Sequence, residues 1–241
     1  MGYRLDILED ALKQGPKALV FTDPDNPTGY KASVEELKAI AELARRYNVL
    51  ILSDEIYWLH CYDTEFTSIA RFYPEGTIIL SGVSKAWAGT GLRLGFALLP
   101  RELRQVASQL AKVTGQASSS VNTPTQYGII EALQNPETRN WEKKMIGEFR
   151  KRRDLVRETM AEHLGYELGG AFYAAPRVPL NAEEFSERLL DKEGVCVLPL
   201  TKLSSGEHGF FDDRVRLAYV TDLETLEEGL TRFRRFSERL S

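Results

Sequence analysis

The chain has 241 residues, 43% hydrophobic and 27% charged, enough to bury one large core or two modest ones. A formal net charge of −4 offers no basic field for nucleic acid, while two cysteines (Cys61, Cys196) and three scattered histidines (His60, His163, His208) argue against disulfides and a metal site. No apolar stretch approaches the ~20 residues of a membrane span and the first residues lack a secretory apolar core, so the expectation is a cytoplasmic protein without membrane partners.

The first apolar run, Ala18-Leu19-Val20-Phe21, reads as a strand, and Asp23-Pro24-Asp25-Asn26-Pro27-Thr28-Gly29 follows it, which places Asn26 near the strand's carboxyl end. Ser33 followed by Glu36 forms a capping box, and Val34, Leu37, Ile40, Ala41 and Ala44 trace a helical stripe able to cover a sheet. A second strand, Val49 to Ser53, runs into Asp54-Glu55-Ile56-Tyr57. Alone, an aspartate there is more often a helix cap and a tyrosine more often packed surface.

A third strand, Thr77 to Ser81, leads to Ser84-Lys85, and Arg93 stands eight residues after the lysine in a loop of small residues. A lysine amine forms Schiff bases with carbonyl groups when its setting lowers its pKa, and a guanidinium grips phosphate in a planar fork. Pyridoxal phosphate carries an aldehyde and a phosphate, so it suits this pair; a solvated Ser-Lys turn is the plainer account of the lysine taken alone.

Leu94 to Leu99 reads as a further strand ended by Pro100, with a helix after it carrying Leu103, Val106, Leu110 and Val113. A long helix is expected from about Thr138 to His163, with Trp141, Met145, Phe149, Val156 and Met160 along one side and Arg150-Lys151-Arg152-Arg153 as a solvated face. Strands follow near Glu167–Ala174, Val195–Leu200 and Val215–Val220, with helices from Ala182 and Leu223. On the last strand Arg214 and Arg216 share a face, which an exposed pair on an edge strand would also explain. The loop from Ser118 to Pro124 has no distinctive charge from which to read substrate specificity.

The alternation of strands and helices predicts an α/β fold with a mostly parallel sheet, whose ligands bind at the carboxyl ends of the strands. Asn-Pro-Thr-Gly, Asp-x-x-Tyr and Ser-Lys with an arginine eight residues on, on successive strands, resemble the class I/II aminotransferase family of fold type I pyridoxal-phosphate enzymes. The resemblance implies that Asn26 and Tyr57 hydrogen-bond the cofactor's phenolic oxygen, Asp54 pairs with its pyridinium nitrogen, Lys85 carries the aldimine and Arg93 binds the phosphate. An aspartate at the ring nitrogen keeps it protonated and preserves the electron sink. Arg216, before Leu217-Ala218, matches the clamp for the substrate α-carboxylate, and Gly169-Gly170-Ala171-Phe172-Tyr173 resembles a glycine-aromatic strand of the family's smaller domain. Gly82 stands where the family often has a phosphate-binding serine, which leaves Ser84 and Ser81 as local hydroxyls, and Gly89 stands where a larger apolar residue is common.

By this resemblance residues 1–137 are a partial large cofactor-binding domain, 138–164 a linking helix and 165–241 a small α+β domain. The implied reaction moves an amino group between an amino acid and a 2-oxo acid, in an enzyme that is a homodimer when complete. A C-S β-lyase using the same lysine, and a catalytically silent truncated domain, are the alternatives. The family's usual N-terminal portion, with its phosphate-binding glycine loop, ring-stacking aromatic and first strands, has no counterpart in the sequence. The expectation is therefore a truncated enzyme with open sheet edges, weak cofactor binding and little activity by itself.

Overall fold

A computed structural model describes residues 2–117, 119–203 and 211–240. Ser118 and His208 lie outside the described residues. The chain divides into two compact units, Gly2–Pro24 with Ala32–Lys144 and Asp25–Lys31 with Met145–Ser241.

The first unit is built on a sheet of β1 (Ala18–Thr22), β2 (Leu50–Asp54), β3 (Thr77–Gly82) and β4 (Gly95–Leu98), adjacent in that order. β1, β2 and β3 are parallel and β4 is antiparallel to β3. The segment between β3 and β4 holds only a four-residue helix and a 3-10 turn, not the crossover helix that usually joins parallel neighbours. Helix α1 (Leu5–Lys13) precedes β1, and α2 (Val34–Arg46) connects β1 to β2. The capping box starts α2: the Glu36 amide donates to Ser33 Oγ at 3.1 Å and the Ser33 amide to Glu36 Oε2 at 2.8 Å. Leu37, Ile40, Ala41 and Ala44 of α2 then pack on Phe21 and Ile51, joined by Ile69 and Tyr73.

The opposite face of the sheet is covered at Ile78, 7% exposed, and open toward β1 and the end of β3 among the described residues. Val20 and Leu52 pair across β1 and β2 and share that face with Leu80; Val20 is 71% exposed. After β4 come α4 (Arg104–Ala117) and α5 (Thr123–Gln134), where Val106, Leu110, Val113, Tyr127, Ile130 and Leu133 are exposed. The apolar stripe read for α4 is present, but the described residues leave it uncovered.

The long helix α6 (Pro136–Thr159) starts in this unit and ends in the other, and the short α7 (Ala161–Leu164) follows it. The division falls inside α6, between Lys144 and Met145. Val156 and Met160 are buried as their spacing predicts. Arg153 corrects the reading of a solvated basic face: it is 2% exposed and donates from Nη1 to the Leu168 carbonyl at 2.8 Å.

The second unit holds a small antiparallel sheet ordered β5 (Tyr173–Ala174), β7 (Val215–Ala218), β6 (Leu198–Pro199), with α8 (Ala182–Glu193) and α9 (Leu223–Glu238). Phe185 of α8 packs against Phe233 and Phe236 of α9, with ring centroids 5.2 and 5.3 Å apart. The strands expected at Glu167–Ala174 and Val195–Leu200 shrink to two residues each. Around β5 the backbone groups have other partners: the Leu168 carbonyl is taken by Arg153, the Gly170 amide donates to Gly29 and the Ala175 amide to the Tyr166 hydroxyl. At β6, Pro199 has no amide to give a ladder.

Candidate active site

In the first unit the backbone collects side chains at one edge. Thr22 pairs with Asp54 and Asp54 with Leu80, so the chain leaves β1, β2 and β3 on the same side. β4 runs the other way and pairs Gly95 with Gly82, which returns Arg93, two residues before β4, to that edge. Asp54 ends β2, Tyr57 lies in the turn after it, and Ser84 and Lys85 lie in α3 (Val83–Ala86), directly after β3.

Asp54 is half-buried, and its Oδ1 accepts the Ile56 amide at 3.2 Å, which fixes the carboxylate at the strand end. Tyr57 is buried, its ring edge-on to His60 with centroids 6.5 Å apart. His60 is fully buried, and burial lowers its pKa to about 4, so it is uncharged at neutral pH. Ser84 and Lys85 are half-buried, and the Ser84 carbonyl accepts Thr90 Oγ1 at 3.1 Å. Arg93 is exposed and donates from Nη1 to the Thr90 carbonyl at 3.1 Å. Its φ of +51° lies in the left-handed region, which costs a non-glycine residue about 1–2 kcal/mol.

The two glycines that depart from the family pattern have packing reasons. A Cβ on Gly82 would lie 2.7 Å from the Leu94 carbonyl oxygen, where β3 and the entry to β4 approach. A Cβ on Gly89 would lie 3.0 Å from Leu92 Cδ1 and 3.1 Å from the Val83 carbonyl. Ser81 Oγ donates to the Glu55 carbonyl at 3.2 Å, so this hydroxyl serves the strand end. Glu55, which the sequence reading passed over, is buried behind Asp54 and accepts the Ser53 and Ser68 hydroxyls at 3.0 and 2.5 Å. Burial pushes its carboxyl above the ordinary range.

Asn26 and Arg216 belong to the second unit, and the structure brings them together. Arg216 Nη1 donates to Asn26 Oδ1 at 3.1 Å, and the guanidinium lies 4.8 Å from the centroid of the Tyr173 ring. Arg214 differs from its neighbour: it is 5% exposed and donates from Nη1 to the Ala175 carbonyl at 2.5 Å. The account of an exposed arginine pair fails, since Arg216 is half-buried and Arg214 buried. The turn that carries Asn26 is knit internally, with Asp25 Oδ2 accepting Thr28 Oγ1 at 2.5 Å and the Thr28 amide at 3.2 Å. Gly29 has φ +71°, and a Cβ there would meet the Tyr173 carbonyl at 2.2 Å, so only glycine fits. Asp23 and Tyr166, also passed over in the sequence, brace this segment. Asp23 Oδ1 accepts the Ala32 amide at 2.7 Å in the first unit, and the one visible signal was an aspartate beside a turn proline.

Among the described residues no group of three or more His, Cys, Asp or Glu side chains is placed to hold a metal ion, and no helix is long and apolar enough to cross a membrane.

The sequence profile of the aminotransferase class I and II family matches residues 1–233. The chain is 38% identical over 232 residues to the aspartate/prephenate aminotransferase of Thermus thermophilus, covering 93% of this chain and 57% of that protein. It is 34% identical over 252 residues to an aspartate aminotransferase of Bacillus subtilis, with 97% and 61% covered. Among solved structures it is similar to aspartate aminotransferase from Thermus thermophilus with maleate, at TM-score 0.87 and 35% identity, covering 98% of this chain and 60% of that one. It is also similar to the aromatic aminotransferase from Pyrococcus horikoshii, at TM-score 0.90 and 30% identity, with 99% and 65% covered. The chain thus spans about three fifths of the length of these relatives.

Proposed function

Since the chain belongs to the class I and II aminotransferases, a family of pyridoxal-phosphate-dependent enzymes with the type I fold, we propose that it carries cofactor- and substrate-binding residues for moving an amino group between an amino acid and a 2-oxo acid. The observation that carries this reading is the edge where Asp54, Tyr57, Ser84, Lys85 and Arg93 converge by strand register. The donor set fits the cofactor: an amine for its aldehyde, a carboxylate for its ring nitrogen, a phenol for its phenolic oxygen, a guanidinium and a hydroxyl for its phosphate.

When bound, the cofactor supplies an electron sink for the carbanion left by loss of the α-proton. Asp54, held by the Ile56 amide, is the acceptor that keeps a proton on the ring nitrogen. Lys85 holds the cofactor and then moves the α-proton as general base and acid. Arg93 and Ser84 bind the phosphate, Asn26 and Tyr57 the phenolic oxygen, and Arg216 the substrate carboxylate as a bidentate partner. The two units are read as part of a large domain and a small domain. The names of the relatives make aspartate the first amino donor to try. Cytoplasmic location and a homodimer belong to the same reading.

We also infer that activity needs the further length that the relatives have. This is supported by the exposed apolar side chains of Val20 and Leu80 on one sheet face and by β1 and β4 as edge strands among the described residues. Borohydride reduction of the protein mixed with pyridoxal phosphate, followed by peptide mapping, tests the reading. A pyridoxyl group on Lys85, lost in Lys85→Ala, is expected; adduct spread over surface lysines would count against it. Exchange of aspartate with a 2-oxo acid is the expected turnover once the remaining length is supplied. Release of pyruvate and ammonia from cystathionine would instead indicate a β-lyase.

A further inference from the structure

The turn carrying Asn26 is held by a contact that none of the proposed roles uses. Tyr166, just after α7, donates its hydroxyl to the Thr28 carbonyl at 2.6 Å and accepts the Ala175 amide at 2.8 Å. One oxygen therefore ties the Asn-Pro-Thr-Gly turn to the residue that follows β5. The ring is fixed in turn by Arg214, whose guanidinium lies 6.0 Å from its centroid and whose Nη1 donates to the Ala175 carbonyl. A second tie runs from the Gly170 amide to the Gly29 carbonyl at 3.1 Å.

Between these two ties Asn26 has little freedom. Asp25 Oδ2 closes the turn on Thr28, and Gly29 seats its α-carbon against the Tyr173 carbonyl where no side chain fits. The Asn26 amide oxygen is already engaged by Arg216, so the orientation of the amide depends on where the turn backbone sits relative to β5 and β7. Burial keeps the Tyr166 phenol well above its ordinary pKa, so its proton stays available for donation across the working pH range.

We propose that Tyr166 is a positioning residue: by joining the Thr28 carbonyl to the Ala175 amide, its hydroxyl fixes the Asn26–Arg216 pair in the orientation that their binding roles require. The inference rests on the cofactor role proposed for Asn26. A preference for hydrogen bonds at both faces of one hydroxyl explains why tyrosine, and not phenylalanine, occupies this half-buried place.

Tyr166→Phe keeps the ring and removes the oxygen. In protein without cofactor, hydrogen exchange at the Ala175 and Gly170 amides should accelerate about five-fold or more, the equivalent of one lost hydrogen bond. In cofactor-binding titrations of the complete protein, Tyr166→Phe and Asn26→Ala should each weaken pyridoxal phosphate, and the double variant should be no weaker than Asn26→Ala alone. A merely structural role would lower thermal stability and give additive losses. Unchanged exchange, or additive losses in the cycle, overturns the proposal. Should Tyr166→Phe fail to fold, native-state exchange of the unmodified protein decides: the Ala175 and Gly170 amides should open in one step with equal protection, and protection differing ten-fold would overturn it. Failure of the unmodified complete protein to bind pyridoxal phosphate would count against the cofactor reading itself, leaving the exchange comparison to decide the tie.

Discussion

The sheet edge of the first unit and the Asn26 turn of the second hold their functional candidates by different physics. At the edge, strand register does the placing: Asp54, Lys85 and Arg93 arrive together because β2, β3 and β4 pair as they do. In the turn, side chains do it, through Asp25 on Thr28 and Arg216 on Asn26. A register-built site tolerates loss of any one side chain structurally, so its variants should lose chemistry while keeping the fold. A site built from polar contacts couples the two.

Asp54→Asn tests the first half most severely. The amide can still accept the Ile56 amide proton but cannot hold a proton on the ring nitrogen, so turnover at saturating cofactor should fall about 10²–10³-fold. Urea denaturation should show the stability unchanged. Near-complete turnover would remove Asp54 from the site.

The neighbouring arginines sharpen the contrast within one strand. Arg216→Lys keeps charge and loses the planar fork, so kcat/KM should fall by the equivalent of about 1.5–3 kcal/mol, with a smaller loss of stability from the weakened contact to Asn26. Arg214→Lys should do the reverse, because a buried guanidinium bonded to the Ala175 carbonyl supports packing. The opposite pattern would transfer the carboxylate role to Arg214.

Register itself can be strained. Gly82→Ala forces a Cβ against the Leu94 carbonyl and should cost about 1–3 kcal/mol in urea unfolding, with lost activity following from movement of Lys85 and Arg93. No change in stability would mean that the β3–β4 approach does not hold the edge.

The smallest effect expected is a pH dependence. Burial holds His60 at about 4 against an unfolded value near 6.5, so between these pH values the unfolded chain binds the proton more readily. The stability contribution is present above pH 6.5 and is lost as pH falls toward 4; the unfolding free energy from urea titrations should decline by about 1–2 kcal/mol between pH 7 and pH 5. His60→Phe should flatten this slope, and an equal slope in the variant would assign the dependence to other groups.

Much of the fold was legible because its signals are local. Ser33 with Glu36 marked the start of α2, the apolar runs marked β1 to β3, and the helices expected from Ala182 and Leu223 begin there. Misreadings arose where a distant group took over a backbone or side chain. Arg153 looked solvated within a basic run, yet the Leu168 carbonyl draws it inside, and the strand expected from Glu167 shortened because Gly29, Tyr166 and Arg153 claim its hydrogen bonds.

The sequence by itself determined the order of the motifs and the chemistry they carry, since residue type and spacing along a strand end depend on neighbours in the chain. Which arginine of β7 is buried, why a side chain at Gly82 or Gly89 would crowd its neighbours, and what holds the Asn26 turn were decided by tertiary structure. Each depends on atoms brought close from far along the chain: Ala175 against Arg214, Leu94 against Gly82, Tyr166 against Thr28. Hydrogen bonds and close packing act over a few ångströms of space, and sequence patterns register them only when the partners are also near in the chain.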